Sequence, residues 1–293
     1  MKRTGFAIVA MLVGAVTLGG AHAQASTIVW GNNATFGNVT LEAFDMDTGA
    51  LVDQFIVPNA QAAGDNGRGI AVVGTTIYYS TATLESVFVT DSNTHADLGI
   101  AFNTGLPGIA NIAWDGTALW VTGYNGSNNA FRYLPDGTLL QTVLGFGNNR
   151  DGFEVAGNHL IANNGDAVGP YDLYDLNGIL EQAAFIVPQT SNPTGITFDG
   201  TFYYVSDIFG NRIEKFDAGG NFISSTVLGG PFPQTCCGRL LEDLSALGNI
   251  SSNPPPGGGG GGPTIPEPGT LFLLGTGLAG LAAAGGRRAR VKI

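Results

Sequence analysis

A repeated unit of 41 to 43 residues runs through most of this chain and constrains its fold more than any other feature. Four segments share one plan, and the first two align without a gap: 112–143, 196–227, 70–102 and 153–185. Their turn glycines recur at this period: Gly74, Gly116, Gly157 and Gly200. A period of this length is typical of folds that repeat one supersecondary unit, each copy burying its apolar face against the next.

Each unit has the pattern of four short strands separated by tight turns. The Asp-Gly-Thr sequences at 115–117 and 199–201 indicate a hairpin between the first and second strands. The second strands, "LWVTG" and "YYVSD", contain the β-branched and aromatic residues that suit a buried, pleated surface. Four strands at this period predict a blade of a β-propeller.

The two ends of the repeated region complete each other. Residues 241–249 have the pattern of a first strand, whereas residues 26–33 and 39–55 have that of second, third and fourth strands. Joined together, they predict a composite blade that closes the ring without a free sheet edge. The predicted fold is therefore all-β, a propeller of five four-stranded blades over residues 24–250.

The units are similar to NHL-type and related propeller repeats over residues 27–248. The similarity rests on the Asp-Gly-Thr turn, the hydrophobic strand after it and the Asp-x-x-Gly turn further on. It implies an architecture but no activity, because one fold hosts many functions.

The charge distribution argues against nucleic acid as a partner. Residues 24–264 contain six Lys or Arg against 22 Asp or Glu, a net charge of −16. A body this acidic repels phosphate backbones. The other basic residues lie in the first three and last seven positions of the chain.

Residues 1–23 have the organisation of a secretory signal peptide. Lys2 and Arg3 precede an apolar stretch from Phe6 to Leu18, and the small residues at 21–23 fit a signal peptidase. An uncleaved anchor, the alternative, is disfavoured because 13 apolar residues are too few for a membrane span of about 20. We therefore expect export, with a mature chain beginning at Gln24.

The two cysteines, Cys236 and Cys237, are adjacent. After export they form either a vicinal disulfide or two free thiols. The bridge would be strained, because neighbouring Cα atoms lie closer than the usual spacing of about 4.4–6.8 Å. The histidines of the mature chain, His95 and His159, lack the ligand spacing of a zinc site.

The composition changes abruptly after the repeats. Residues 251–264 form a Pro/Gly-rich linker with a root-mean-square span of about 20 Å. The remaining residues, 265–293, contain Pro266-Glu267-Pro268, a 17-residue apolar run (270–286) and an Arg-rich end. As a transmembrane helix the run would be about 25 Å long, the short limit for a span. Its basic flank would stay on the cytoplasmic side.

This tail resembles the PEP-CTERM sorting signal of exopolysaccharide-producing Gram-negative bacteria, whose three parts occur here in the same order. The resemblance implies an inner-membrane intermediate, recognition by an exosortase, loss of the tail and delivery to the cell surface or extracellular matrix. A plain membrane anchor, the alternative, has no need of the Pro-Glu-Pro sequence.

Polar residues on the first strands are the candidate site, because these strands line the channel of a propeller. Three residues before the turn glycine, the side chains are small except for one Glu: Ala71, Ala113, Glu154, Thr197 and Ser245. Four polar residues lie earlier on the first strands, near the channel mouth. Together with Glu154 they form the predicted cluster: Arg68, Asp151, Glu154, Glu242 and Asp243. It holds either Ca²⁺ or a small ligand, since carboxylates suit hard cations, or it forms an Arg–carboxylate network that plugs the channel.

The sequence thus predicts an exported propeller that serves as a binding or structural module, with exopolysaccharide or a protein as partner. The alternative is a propeller lyase or lactonase with a metal in the channel. That class places several carboxylates, Asn or His around one ion, and the first strands here contain no His. No catalytic residue is predicted.

Overall fold

The computed structural model describes residues 26–35, 40–57, 65–123, 129–145, 151–163, 169–230 and 239–246. These ranges contain twenty β-strands: β1 (Ile28–Asn33), β2 (Thr40–Asp45), β3 (Leu51–Ile56), β4 (Gly67–Val73), β5 (Thr76–Thr81), β6 (Ser86–Asp91), β7 (Asp97–Asn103), β8 (Ile109–Trp114), β9 (Leu119–Gly123), β10 (Ala130–Tyr133), β11 (Leu139–Val143), β12 (Phe153–Ala156), β13 (His159–Asn163), β14 (Tyr171–Asp175), β15 (Leu180–Ile186), β16 (Pro193–Phe198), β17 (Tyr203–Asp207), β18 (Arg212–Phe216), β19 (Phe222–Val227) and β20 (Leu241–Ala246).

The strands form five antiparallel four-stranded sheets, which are the blades of a propeller. Blades 1 to 4 are β4–β7, β8–β11, β12–β15 and β16–β19, and the composite blade has the order β20-β1-β2-β3. The first strands β4, β8, β12, β16 and β20 contact one another in a closed ring around the centre. The predicted five-bladed fold and its composite blade are confirmed.

One hydrophobic cluster lies between each pair of neighbouring blades. Between blades 3 and 4, for example, Tyr171 and Phe185 pack with Phe198 and Tyr203. The same arrangement recurs at the other four interfaces. Each fully buried large apolar side chain contributes about 1.5–3 kcal/mol of transfer free energy, so the ring is stabilised at every interface.

The glycine periodicity has a structural reason at the turns. Gly116 and Gly200 have φ values of 93° and 95°, in the left-handed region that side chains with a Cβ rarely adopt. The preceding Asp115 and Asp199 accept backbone N–H groups of the same turns through their carboxylates. At these two turns the acidic side chain is therefore part of the turn structure.

The composite blade is closed by a ladder and by a buried ion pair. Asn32 pairs with Asp243 and Val29 with Ala246 in the β1–β20 ladder. Arg239, just before β20, places Nε 2.8 Å from Oε2 of Glu42 on β2, and both side chains are fully buried. The ion pair joins the C-terminal segment of the ring to its N-terminal strands, a feature that sequence reasoning missed.

Several predicted features lie outside the described residues: the signal peptide, Cys236 and Cys237, the linker and the sorting tail with Pro266, Glu267 and Pro268. Within the described part of the chain, no helix is long and apolar enough to cross a membrane. The predicted span at 270–286 belongs to the residues not described.

Candidate functional site

The first strands approach one another closely because glycine occupies the tightest positions. A Cβ on Gly195 of β16 would lie 2.7 Å from the Cα of Asp243 on β20, and one on Gly69 would lie 2.8 Å from the backbone of Asn111. Real Cβ atoms are not found at such distances from backbone. The centre of the ring is therefore tightly packed at this level.

Asp243 is fully buried and links three blades. Its Oδ2 accepts the N–H of Ile70 on β4 at 3.0 Å and that of Ile112 on β8 at 3.1 Å. Burial raises the pKa of Asp243 well above its usual value, although these amides act in the opposite direction. The carboxyl group of Glu154 adds to the increase in the pKa of Asp243.

Glu154 has the same role as the smaller residues at its position in other blades. Its Oε2 accepts the N–H of Phe198 in the next blade at 3.1 Å. Likewise, Thr197 accepts the N–H of Ala246, and Ser245 accepts that of Val72, each at 2.9 Å. These side chains replace a backbone ladder between first strands, because strands of neighbouring blades do not pair directly.

Arg68, Asp151 and Glu242 lie one level nearer the channel mouth. Arg68 and Glu242 form a buried ion pair through Nη1 and Oε1. Burial raises the pKa of Glu242 to about 7, with Arg68 lowering it and Asp151 raising it. Asp151 is partly buried, and its backbone N–H donates to Oδ1 of Asn163 at 3.1 Å.

The five predicted residues are thus divided between two levels, which we call the mouth layer (Arg68, Asp151, Glu242) and the inner layer (Glu154, Asp243). Within the described ranges, no group of three or more His, Cys, Asp or Glu side chains is placed to hold a metal ion. The arrangement binds backbone amides and one guanidinium.

Sequence reasoning missed a second polar set, on the second strands. These residues lie six positions after the turn glycine in blades 1 to 4 and at the matching place in the composite blade: Ser80, Thr122, Asn163, Ser206 and Asn32. Ser80 and Ser206 accept the N–H groups of Gly69 and Gly195, both at 2.8 Å. The ladder register shifts at these points, so the side chains satisfy amides that the neighbouring strand does not. The recurrence of Ser, Thr or Asn at this position was a usable signal.

Comparison with protein-family models matches residues 264–288 to the PEP-CTERM protein-sorting motif. The chain carries a PEP-CTERM sorting signal. The protein is therefore exported, held in the membrane as an intermediate, processed by an exosortase and sorted to the cell surface. Its sorted part is the propeller.

Other comparisons add two similar structures. A chain in the crystal structure of a nidogen/laminin complex has a TM-score of 0.49 and 12% identity, covering 76% of this chain and 99% of that chain. A protein of unknown function from Bacteroides caccae has a TM-score of 0.48 and 10% identity, with the same coverage. No curated protein sequence matches the chain.

Proposed function

We propose that this protein acts at the cell surface or in the extracellular matrix as a non-catalytic binding and structural module, with exopolysaccharide or a surface protein as its ligand. One observation carries the proposal: the channel carboxylates have structural partners. Asp243 accepts amides from two other blades, and Glu242 is paired with Arg68. A propeller lyase or lactonase would instead direct such groups at a metal and a substrate.

The channel mouth is the favoured binding face. The mouth layer lies at the start of β20, where Glu242 is the second residue of the strand. The connection between β17 and β18 begins at the mouth end, because Asp207 pairs with Pro193 at the start of β16.

Phe209 in this connection is 55% exposed and available to stack on a sugar ring. Aromatic faces suit such ligands because a large apolar area contacts the ring at low cost in side-chain entropy. Phe209 is therefore the residue we assign to saccharide binding.

Co-sedimentation of the exported protein with the exopolysaccharide of its host tests the proposal, with and without Ca²⁺. We expect saturable binding that Phe209→Ala weakens several-fold. Leu98→Ala is the matched control, because Leu98 is 57% exposed and lies on β7, an outer strand of blade 1.

Absence of binding in both conditions would refute a saccharide ligand and leave a surface protein as the partner. Cleavage of the polysaccharide during the assay would overturn the non-catalytic role. Binding that requires Ca²⁺ and is lost in Glu154→Ala would show that the channel cluster holds a cation and is not only an Arg–carboxylate network that fills the channel.

A further inference from the structure

The outer strand of blade 4, β19, is the last strand of its sheet, and no other described strand pairs with its outer edge. Its sequence is Phe-Ile-Ser-Ser-Thr-Val, and every residue except Thr226 is exposed. Phe222 and Ile223 are 44% and 47% exposed. An uncovered edge of this kind offers a row of backbone N–H and C=O groups to an incoming strand.

The usual protection of an edge strand is missing here. Natural edges are blunted by Lys, Pro or charged side chains, and β19 contains none of them. The other outer strands differ. An acidic residue lies on β3, β7 and β15: Asp53, Asp97 and Glu181. The fifth, β11, is shorter, and its Gln141 donates to the carbonyl of Leu176 in the next blade.

The open part of β19 is the segment 222–225. Towards its end, Thr226 donates to the carbonyl of Met46, and Gly229 donates its N–H to Gly49, so the composite blade covers this end. The nearest carboxylate before the strand, Asp217, accepts the N–H groups of Gly219 and Asn221. The open segment therefore has no charged side chain of its own.

Charge favours a second copy as the occupant. Residues 24–264 carry a net charge of −16, so two copies repel each other over most of their surfaces. The open segment 222–225 is a neutral strip, where two such acidic molecules can approach each other without placing like charges side by side. The β19 sequence is also of the uncharged, β-prone, Pro-free type that pairs with itself.

We propose that β19 strands of two copies pair edge to edge, antiparallel about a two-fold axis between Ile223 and Ser224, so that the open segments 222–225 pair with each other. One strand pair buries less than the roughly 1,200 Å² of a stable complex, so the contact is weak in dilute solution. Sorting to the cell surface raises the local concentration, which converts a weak contact into a populated one. This inference rests on the fold and the sorting signal and does not depend on the proposed ligand.

Cysteine cross-linking of the full chain in its host tests the contact. The chain carries Ser225→Cys in a Cys236→Ser, Cys237→Ser background, and cells are treated with a short bis-maleimide. We expect a product of twice the mass of the processed chain. Asn177→Cys, on the exposed turn between β14 and β15, is the control that reports random collisions.

A charge placed in the strip separates specific pairing from chance. Added to the Ser225→Cys chain, Ile223→Lys should lower the cross-linked fraction at least five-fold. Leu140→Lys, on β11 at 46% exposure, should leave it unchanged. The Asn177→Cys chain reports cross-linking by random collision. Adding Ser225→Glu to this chain should leave its cross-linked fraction unchanged. An unchanged urea unfolding curve for each variant shows that the propeller still folds.

Three results would overturn the proposal. The first is a Ser225→Cys product no stronger than that of Asn177→Cys. The second is an equal loss caused by Leu140→Lys, since the contact would then not be specific to β19. The third is a product whose mass shows a different protein in place of the second copy.

Discussion

Replacing Arg239 should be the most costly single charge removal in the described part of the propeller. Its Nε lies 2.8 Å from Glu42, its Nη1 donates to the carbonyl of Gly229 at 2.9 Å, and its guanidinium lies 4.7 Å above the ring of Phe44. Arg239→Met removes all three contacts and leaves the buried Glu42 carboxylate without its counter-ion, although Gln54 still donates to its Oε1. Breaking a buried pair in this way costs about 3–5 kcal/mol, a large part of the roughly 5–15 kcal/mol that stabilises a typical domain.

The cost should depend on pH with a defined sign. Burial raises the pKa of Glu42, and Arg239 opposes the increase. Without Arg239 the folded-state pKa is higher still, so the folded protein retains a proton that the unfolded chain releases near pH 4.5. The destabilisation should therefore be small below that pH and grow as the pH rises towards neutrality.

Urea unfolding of the exported protein, followed by tryptophan fluorescence, measures these free energies at pH 4 and pH 7. The double variant Arg239→Met, Glu42→Leu should recover part of the loss, because no lone charge is left buried. Lys215→Met is the control. Lys215 lies 3.8 Å from the ring of Phe202, and its loss should cost at most about 1 kcal/mol. A loss below about 1 kcal/mol for Arg239→Met, or full additivity of the two changes, would refute the closing role of the pair.

Three further predictions concern the channel. Because the pKa of Glu242 is raised to about 7, its contribution to stability should be complete below pH 4.5 and fall by about 3 kcal/mol as the pH rises to 7. In urea titrations across this range, Glu242→Gln should make the decrease smaller by that amount. Ser206→Ala orphans the N–H of Gly195 and should cost about 1–3 kcal/mol by thermal unfolding, while the exposed Ser225→Ala changes stability little. Gly195→Ala forces a Cβ against Asp243 and should cost about 1–3 kcal/mol, whereas Gly219→Ala meets only side-chain atoms beyond 3 Å and serves as its control.

The architecture could be predicted because its signals are local and repeated. Turn glycines such as Gly116 and Gly200 recur with the period of the blades, and their positive φ values explain why. The composite blade followed from the same period, since a first strand without a blade and a blade without a first strand can only be joined. The strand boundaries and the closure of the ring could therefore be predicted without knowledge of any long-range contact.

The partners of the channel residues could not be predicted in the same way. The position of Glu154 on a first strand was visible, but the amide that it accepts, that of Phe198, depends on how β12 and β16 are staggered. Backbone amides are alike at every residue, so no sequence pattern marks the one that a carboxylate will bind. The Arg239–Glu42 pair could not be predicted for a related reason. Neither residue recurs at the same position in the other blades, and their contact exists only after the ring closes.

The composite blade also sets the order in which the protein can be completed. Strands β1 to β3 are synthesised first, yet β20, which pairs with β1, is the last strand of the ring. Until β20 arrives, the apolar side chains of Val29 and Phe44 lack Leu241 and Leu244, with which they later pack. A chain halted before residue 241 would thus hold four whole blades and an unfinished fifth, with exposed apolar surface of the kind that leads to aggregation. Protection against aggregation therefore depends on when the final strand is translated and exported, and not on when the repeated blades form.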